Sequence, residues 1–128
     1  MKLKRIHHVA IICSDYQISK HFYVDILDFS VINETFRASR NSYKLDLKAS
    51  SGDCIELFSF PDPPQRVSRP EACGLRHLAF EVDDIDQSVA YLQSKDVKVE
   101  DIRTDEITGK RFTFFQDPDG LPLEIYES

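Results

Sequence analysis

The chain has 128 residues, 41% of them hydrophobic and 30% charged, and carries a formal net charge of −6. Such a composition belongs to one folded domain long enough to bury a core, and it excludes both a disordered chain and a nucleic-acid binder, because backbone phosphates demand a cationic face. No stretch approaches ~18 uninterrupted apolar residues, so no membrane span is expected.

The basic start MKLKR leads into an apolar run that ends at Cys13-Ser14-Asp15 without a small-residue cleavage pattern, so no secretory leader is expected. Cys13, Cys54 and Cys73 are odd in number and lack CxxC spacing. They read as reduced thiols of a cytoplasmic protein, neither a disulfide framework nor a zinc site.

Arg5 to Cys13 forms the first predicted strand. Ser14 or Asp15 caps a helix that runs to about Leu27, with Ile18, Phe22 and Ile26 as its buried stripe and Phe29 just past its end. Val31–Phe36, Tyr43–Ala49 and Cys54–Phe60 follow as strands, the last two joined by a hairpin turn at ASSGD, where Gly52 supplies the permissive backbone. A proline-stiffened linker spans 61–74. Beyond it come a strand over Leu75–Val82, a helix from Asp84 or Ile85 to Ser94, and strands over Val97–Arg103, Arg111–Gln116 and Leu121–Glu127. The tetrapeptide DPDG, Asp117 to Gly120, marks the turn before the last strand.

The same order of elements thus occurs twice. HHVAIICSD, from His7, and RHLAFEVDD, from Arg76, share His, Ala and Asp at matching positions. His8 and His77, Asp15 and Asp84, Ser19 and Ser88, and Phe22 and Tyr91 each lie 69 positions apart, and Glu56 and Glu124 lie 68 apart. A nearly constant offset over five landmarks indicates an internal repeat: residues 1–60 and 75–128 are two copies of a βαβββ unit. The expected class is α+β, with the two units bending their sheets into half-barrels and carrying their helices outside.

Strand alternation puts His8 on one face with Ala10 and Ile12, and His77 with Ala79 and Glu81. Glu56 stands between Ile55 and Leu57, and Glu124 between Leu123 and Ile125. An inward carboxylate without a partner would cost on the order of several kcal/mol. Two imidazoles and two carboxylates, delivered by the first and last strands of each repeat, could fill four corners of a metal site, with water or substrate in the rest. Such N₂O₂ ligation suits Ni, Co, Zn, Mn or Fe. Cys54 shares the Glu56 face. His7 and His21 read as structural and exposed.

With that quartet in place, the motifs IHHVAI, IELF around Glu56, LRHLAFEVDD around His77 and the terminal DPDGLPLEIYE resemble the vicinal oxygen chelate superfamily along the whole chain. That superfamily includes glyoxalase I, bleomycin-resistance proteins and extradiol dioxygenases. The resemblance implies His8, Glu56, His77 and Glu124 as metal ligands. It also implies a homodimer in which each metal draws ligands from both chains. Extradiol dioxygenases normally lack a carboxylate at the Glu56 position, methylmalonyl-CoA epimerases carry Gln there, and bleomycin-resistance proteins lack the ligands altogether. Ile12 and Phe60 stand where bacterial glyoxalase I usually has the Arg and Asn that contact glutathione.

The expected activity is that of a divalent-metal-dependent lyase or isomerase. Its substrate would be a small carbonyl or a 2-oxoaldehyde–thiol adduct, handled through an enediolate, with a possible thiol cosubstrate. Glu124 is the favoured base, and Glu56 the alternative. Candidate substrate-anion contacts are Arg37, Arg40, Arg66, Arg69, Lys110 and Arg111. Phe112, Phe114 and Phe115 divide between core and cavity. The rival readings are a metal-free module that sequesters a small molecule, and a different metalloenzyme on the same frame: an epimerase, a ring-opening dioxygenase or a thiol transferase.

Overall fold

A computed structural model describes all 128 residues and divides the chain into two compact units, Met1–Pro64 and Gln65–Ser128. The first contains strand β1 (Val9–Cys13), helix α1 (Tyr16–His21), and strands β2 (Ser30–Arg37), β3 (Ser42–Lys48) and β4 (Cys54–Ser59). The second contains β5 (Leu78–Val82), helix α2 (Ile85–Ser94), β6 (Arg103–Thr104), β7 (Arg111–Gln116) and β8 (Pro122–Glu127). Each unit is a four-stranded mixed sheet, β1-β4-β3-β2 in one and β5-β8-β7-β6 in the other, and neither sheet closes into a barrel. The first and last strands of each unit run parallel, and the others pair antiparallel. The α+β reading and the βαβββ repeat therefore hold. No helix is long and apolar enough to cross a membrane.

The alternation of side chains divides each sheet into an apolar face and a polar one. Ile11, Cys13, Leu45, Leu47, Ile55 and Leu57 are buried on the core face of the first unit, and Phe115, Leu123 and Ile125 on that of the second. The caps expected at the helix starts are both aspartates: Asp15 accepts from the Ile18 amide at 3.1 Å, and Asp84 from the Gln87 amide at 2.9 Å. Gly52, at φ 101°, closes the β3–β4 hairpin by donating to the Ala49 carbonyl. At the DPDG turn, the buried Asp117 carboxylate accepts from the amides of Asp119 and Leu121, both at 2.9 Å, and aims β8.

Four expectations need correction. Strands β1 and β5 begin later than Arg5 and Leu75, because their partners β4 and β8 begin at Cys54 and Pro122 and leave earlier residues nothing to pair with. His8 and His77 thus sit one residue ahead of their strands. Val97 to Asp101 is not a strand: the Thr113 hydroxyl donates to the carbonyls of Glu100 (2.8 Å) and Asp101 (3.2 Å), which a ladder would have used. Ile18 is 55% exposed, and the buried stripe of the first helix is Tyr16, Ser19, Phe22 and Tyr23. Past His21 this helix widens into a π-turn, Phe22–Ile26, with Leu27 donating to the Phe22 carbonyl.

Tyr16 ties α1 to the sheet. Its ring stacks on Tyr43 with centroids 4.3 Å apart, and its hydroxyl donates to Glu34, which Lys20 also grips at 2.6 Å. Lys20 first, then Tyr16, hold the Glu34 carboxyl below the usual carboxylate range, so this contribution stands above that range and fades as pH falls through the folded value. Burial, then the bond to Glu34, push the Tyr16 phenol up, so its contribution stands below the usual phenol range and fades as pH rises through the folded value. Tyr16→Phe should cost about 1 kcal/mol in urea denaturation at neutral pH. The difference from wild type should shrink as pH falls below the usual carboxylate range and Glu34 protonates. A pH-independent difference would assign the cost to packing instead.

Candidate metal centre

The two parallel strand pairs repeat one arrangement. Ala10 stands opposite Glu56 across β1 and β4, and Ala79 stands opposite Glu124 across β5 and β8. A methyl group beside each carboxylate leaves room for the imidazole two residues upstream. His8 Nε2 lies 3.5 Å from a Glu56 oxygen, and His77 Nε2 lies 3.0 Å from a Glu124 oxygen. The glutamate side chains are only 19% and 13% exposed, so each needs compensation, and in both units a histidine supplies it. Each unit delivers one nitrogen and one carboxylate donor, and within neither unit do three His, Cys, Asp or Glu side chains gather into a metal-holding group.

The surroundings of the pairs differ. On the polar face of the first unit, Asp46 stands opposite Glu56 and Lys44 opposite Phe58. The Lys44 ammonium bridges Asp46 at 3.0 Å and Glu56 at 3.3 Å, and Asp46, then Glu56, hold it charged. In the second unit the corresponding places are aromatic: Phe114 stands opposite Glu124 and Phe112 opposite Tyr126. Phe114 meets the His77 ring edge-on at 5.1 Å, and no lysine or arginine reaches Glu124.

A family model described as Glyoxalase/Bleomycin resistance protein/Dioxygenase superfamily matches residues 5–125. The chain belongs to this superfamily. Among its relatives, the protein YwkD of Bacillus subtilis (strain 168) is 64% identical over 99% of both chains. YaeR of Escherichia coli (strain K12) is 63% identical over 98% of this chain and 97% of its own. The crystal structure of a glyoxalase family protein from Enterococcus faecalis superposes with a TM-score of 0.93 at 50% identity, covering 99% of this chain and 100% of that one.

In this superfamily member the sequence-derived anion contacts take varied positions. Arg111 lies on the core-side face of β7, away from Glu124, where it donates twice to Glu127 and once to Asp86 at the start of α2. It clamps helix to sheet, so a substrate anion would have to compete with Glu127 and Asp86 for its donors. Arg66 is committed too: it donates to Ser68 and to the carbonyls of Leu75 and Arg76, holding the linker ahead of His77. Arg69 and Lys110 are exposed. Cys54 is half-buried, with its thiol directed at the Gly52 carbonyl.

Phe112 and Phe114 share the polar face of the second unit, while Phe115 is core. His21 pairs with Asp25 on the surface, and His7 touches only its neighbour His8. Lys44 and Asp46 escaped the sequence reading because their nearness to Glu56 depends on the β3–β4 register. The alternating KLDLK run was the available signal.

Arg111→Met should lower the thermal midpoint while leaving metal content and turnover unchanged. Lost turnover at an unaltered midpoint would return Arg111 to the substrate.

Proposed function

We propose that this superfamily member is a divalent-metal-dependent lyase or isomerase of glyoxalase I type, acting on a small carbonyl compound or a 2-oxoaldehyde–thiol adduct. The observation that carries the reading is the repeated His–Glu pair: two half-buried carboxylates, each beside an imidazole, in a frame built twice. His8 and Glu56 from one unit and His77 and Glu124 from the other would supply an N₂O₂ donor set of the kind that suits Ni, Co, Zn, Mn or Fe. Remote relatives support proton-transfer or metal chemistry on this frame. A 2-epi-5-epi-valiolone epimerase of Actinomyces is 28% identical, and the metallothiol transferase FosB of Staphylococcus saprophyticus is 25% identical. The trypanothione-dependent glyoxalase I of Leishmania major is 26% identical with a TM-score of 0.76.

When bound, a divalent cation supplies Lewis acidity to two neighbouring substrate oxygens. The chain's own groups then move the proton. Glu124 takes it from the carbon next to the carbonyl, leaving an enediolate, and returns it to the adjacent carbon. Glu124 suits this role better than Glu56, because one face of Glu56 is already engaged by the Lys44 ammonium at 3.3 Å. His77 orients Glu124, and Phe114 fixes the His77 ring. Phe112 and Tyr126, stacked 6.3 Å apart on the same face, help to exclude water.

Ile12 is exposed, and Phe60 lies flat against Phe58. These two positions offer apolar surface where a glutathione carboxylate would need donors, so any thiol cosubstrate differs from glutathione in its anionic contacts. We also propose a homodimer in the cytoplasm, with the pair of one unit completed by that of a second chain.

Plasma mass spectrometry should find about one divalent ion per chain, lost in a His8→Ala/His77→Ala double variant and on chelation. No uptake when Ni, Co, Mn or Zn is supplied would sink the lyase and leave a metal-free binding module. Glu124→Gln should keep the metal and lose about 10²–10⁴ in turnover; such a loss in Glu56→Gln alone would reverse the assignment. Mixing a His8→Ala/Glu56→Ala chain with a His77→Ala/Glu124→Ala chain should restore one ion per heterodimer, about one per four chains in an equal, freely exchanging mixture, if two chains share each site. No restoration would confine each site to one chain.

A further inference from the structure

On the polar face of the first unit one cation is held in place and left without a counter-charge. Arg37 closes β2 opposite Ser42 of β3. Its guanidinium lies over the rings of Phe58 at 4.9 Å and Phe60 at 5.7 Å, and Nη2 donates to the buried Ser42 hydroxyl at 3.0 Å. No carboxylate pairs with it, and its Nε is buried with no acceptor. A buried donor left unpaired is costly, and stacking on two rings restricts the side chain, so the group is pre-organised to meet an anion.

Two other cations on the polar faces have a carboxylate beside them, and Lys48, at the far end of β3, is exposed and unpaired. Lys44 is bridged to Asp46 and Glu56. In the second unit Arg103 stacks in the same manner, on Phe112 and Phe114, but Glu100 stands 3.8 Å from it. Unlike Lys48, Arg37 is partly buried and fixed by two rings and a hydroxyl.

The register relates this cation to the proposed metal pair. Arg37 and Ser42, Lys44 and Phe58, and Asp46 and Glu56 are cross-strand partners, and Ser42, Lys44 and Asp46 alternate along β3, so all six side chains share one face with His8. Phe58 and Phe60 lie two and four residues beyond Glu56, which sets the guanidinium roughly 7–13 Å along the strand from that carboxylate. That is the reach of a molecule of a few carbon atoms.

We propose that Arg37 binds an anionic group, a carboxylate or a phosphoryl group, at the far end of the substrate whose reacting oxygens lie at the His8–Glu56 pair. The substrate class is then an acidic carbonyl compound. This rests on the reading above, and two measurements separate their failures.

In metal-free protein, inorganic phosphate and glutarate are titrated while the ¹⁵N resonance of Arg37 Nε is followed. A saturable shift is expected, absent in Arg37→Met. In Ni-loaded protein, calorimetry compares acetohydroxamate, a neutral bidentate oxygen chelator, with succinomonohydroxamate and phosphonoacetohydroxamate, which add a remote carboxylate or phosphonate. At least one of these two should bind about tenfold tighter than acetohydroxamate, and whichever gains more identifies the anion. Arg37→Met should erase the gain and leave acetohydroxamate unchanged, while Arg37→Lys should keep part of it.

A gain that survives Arg37→Met, or no gain at all, overturns the anion site while hydroxamate binding upholds the metal reading. A phosphate or glutarate shift with no hydroxamate binding upholds the anion contact, overturns its link to the metal pair and refutes the metal reading. No shift and no hydroxamate binding overturns both.

Discussion

A carboxylate on a largely covered sheet face must find a partner, because the free energy of stranding it would consume much of a small domain's stability. In both units the parallel pairing of the first and last strands meets that requirement. It sets an alanine beside each glutamate and brings the histidine that precedes the strand within 3.5 Å or less. Much of the rest serves this pairing. The helix between the first two strands provides the crossover that lets the outer strands run parallel. The Asp117 turn aims β8, and Arg111 clamps α2 to the sheet behind Glu124.

One frame built twice need not do one job twice. Glu56 lies among charges, with Lys44 shared between it and Asp46, while Glu124 lies among rings. A carboxylate with an ammonium against it is held in a fixed pose. A carboxylate beside an imidazole and an aromatic edge, with no ammonium against it, has one face less engaged. The stacked arginines diverge likewise, since Arg103 has Glu100 beside it and Arg37 has no carboxylate. The duplicated backbone supplies the ligand frame, and the substitutions between copies supply the chemistry.

The reading of the sequence succeeded wherever a local rule governs. Aspartate caps, Gly52 and the DPDG turn are short-range signals, the 69-residue offset is read by comparing one copy with the other, and the elements they imply are present. It went astray where a partner decides. Val97–Asp101 alternates like a strand, yet the Thr113 hydroxyl takes two of its carbonyls. Ile18 falls at helical spacing but faces water, because Tyr16 and Ser19 turn the helix's other side to the sheet. Arg111 neighbours the aromatic strand in sequence, and alternation sends it to the opposite face from Phe112 and Phe114.

What the sequence determined by itself was a repeat of strand, helix and three strands, with a histidine in each first-strand run and a glutamate within each last strand. Composition, periodicity and turn chemistry act over a few residues, and one chain displays them directly. Only the tertiary structure decided that each histidine meets its own glutamate, that Lys44 occupies one of them, and that Arg37 stands over two rings without a counter-charge. Those facts follow from strand register, which pairs residues on different strands and can be read only once the partner strands are known.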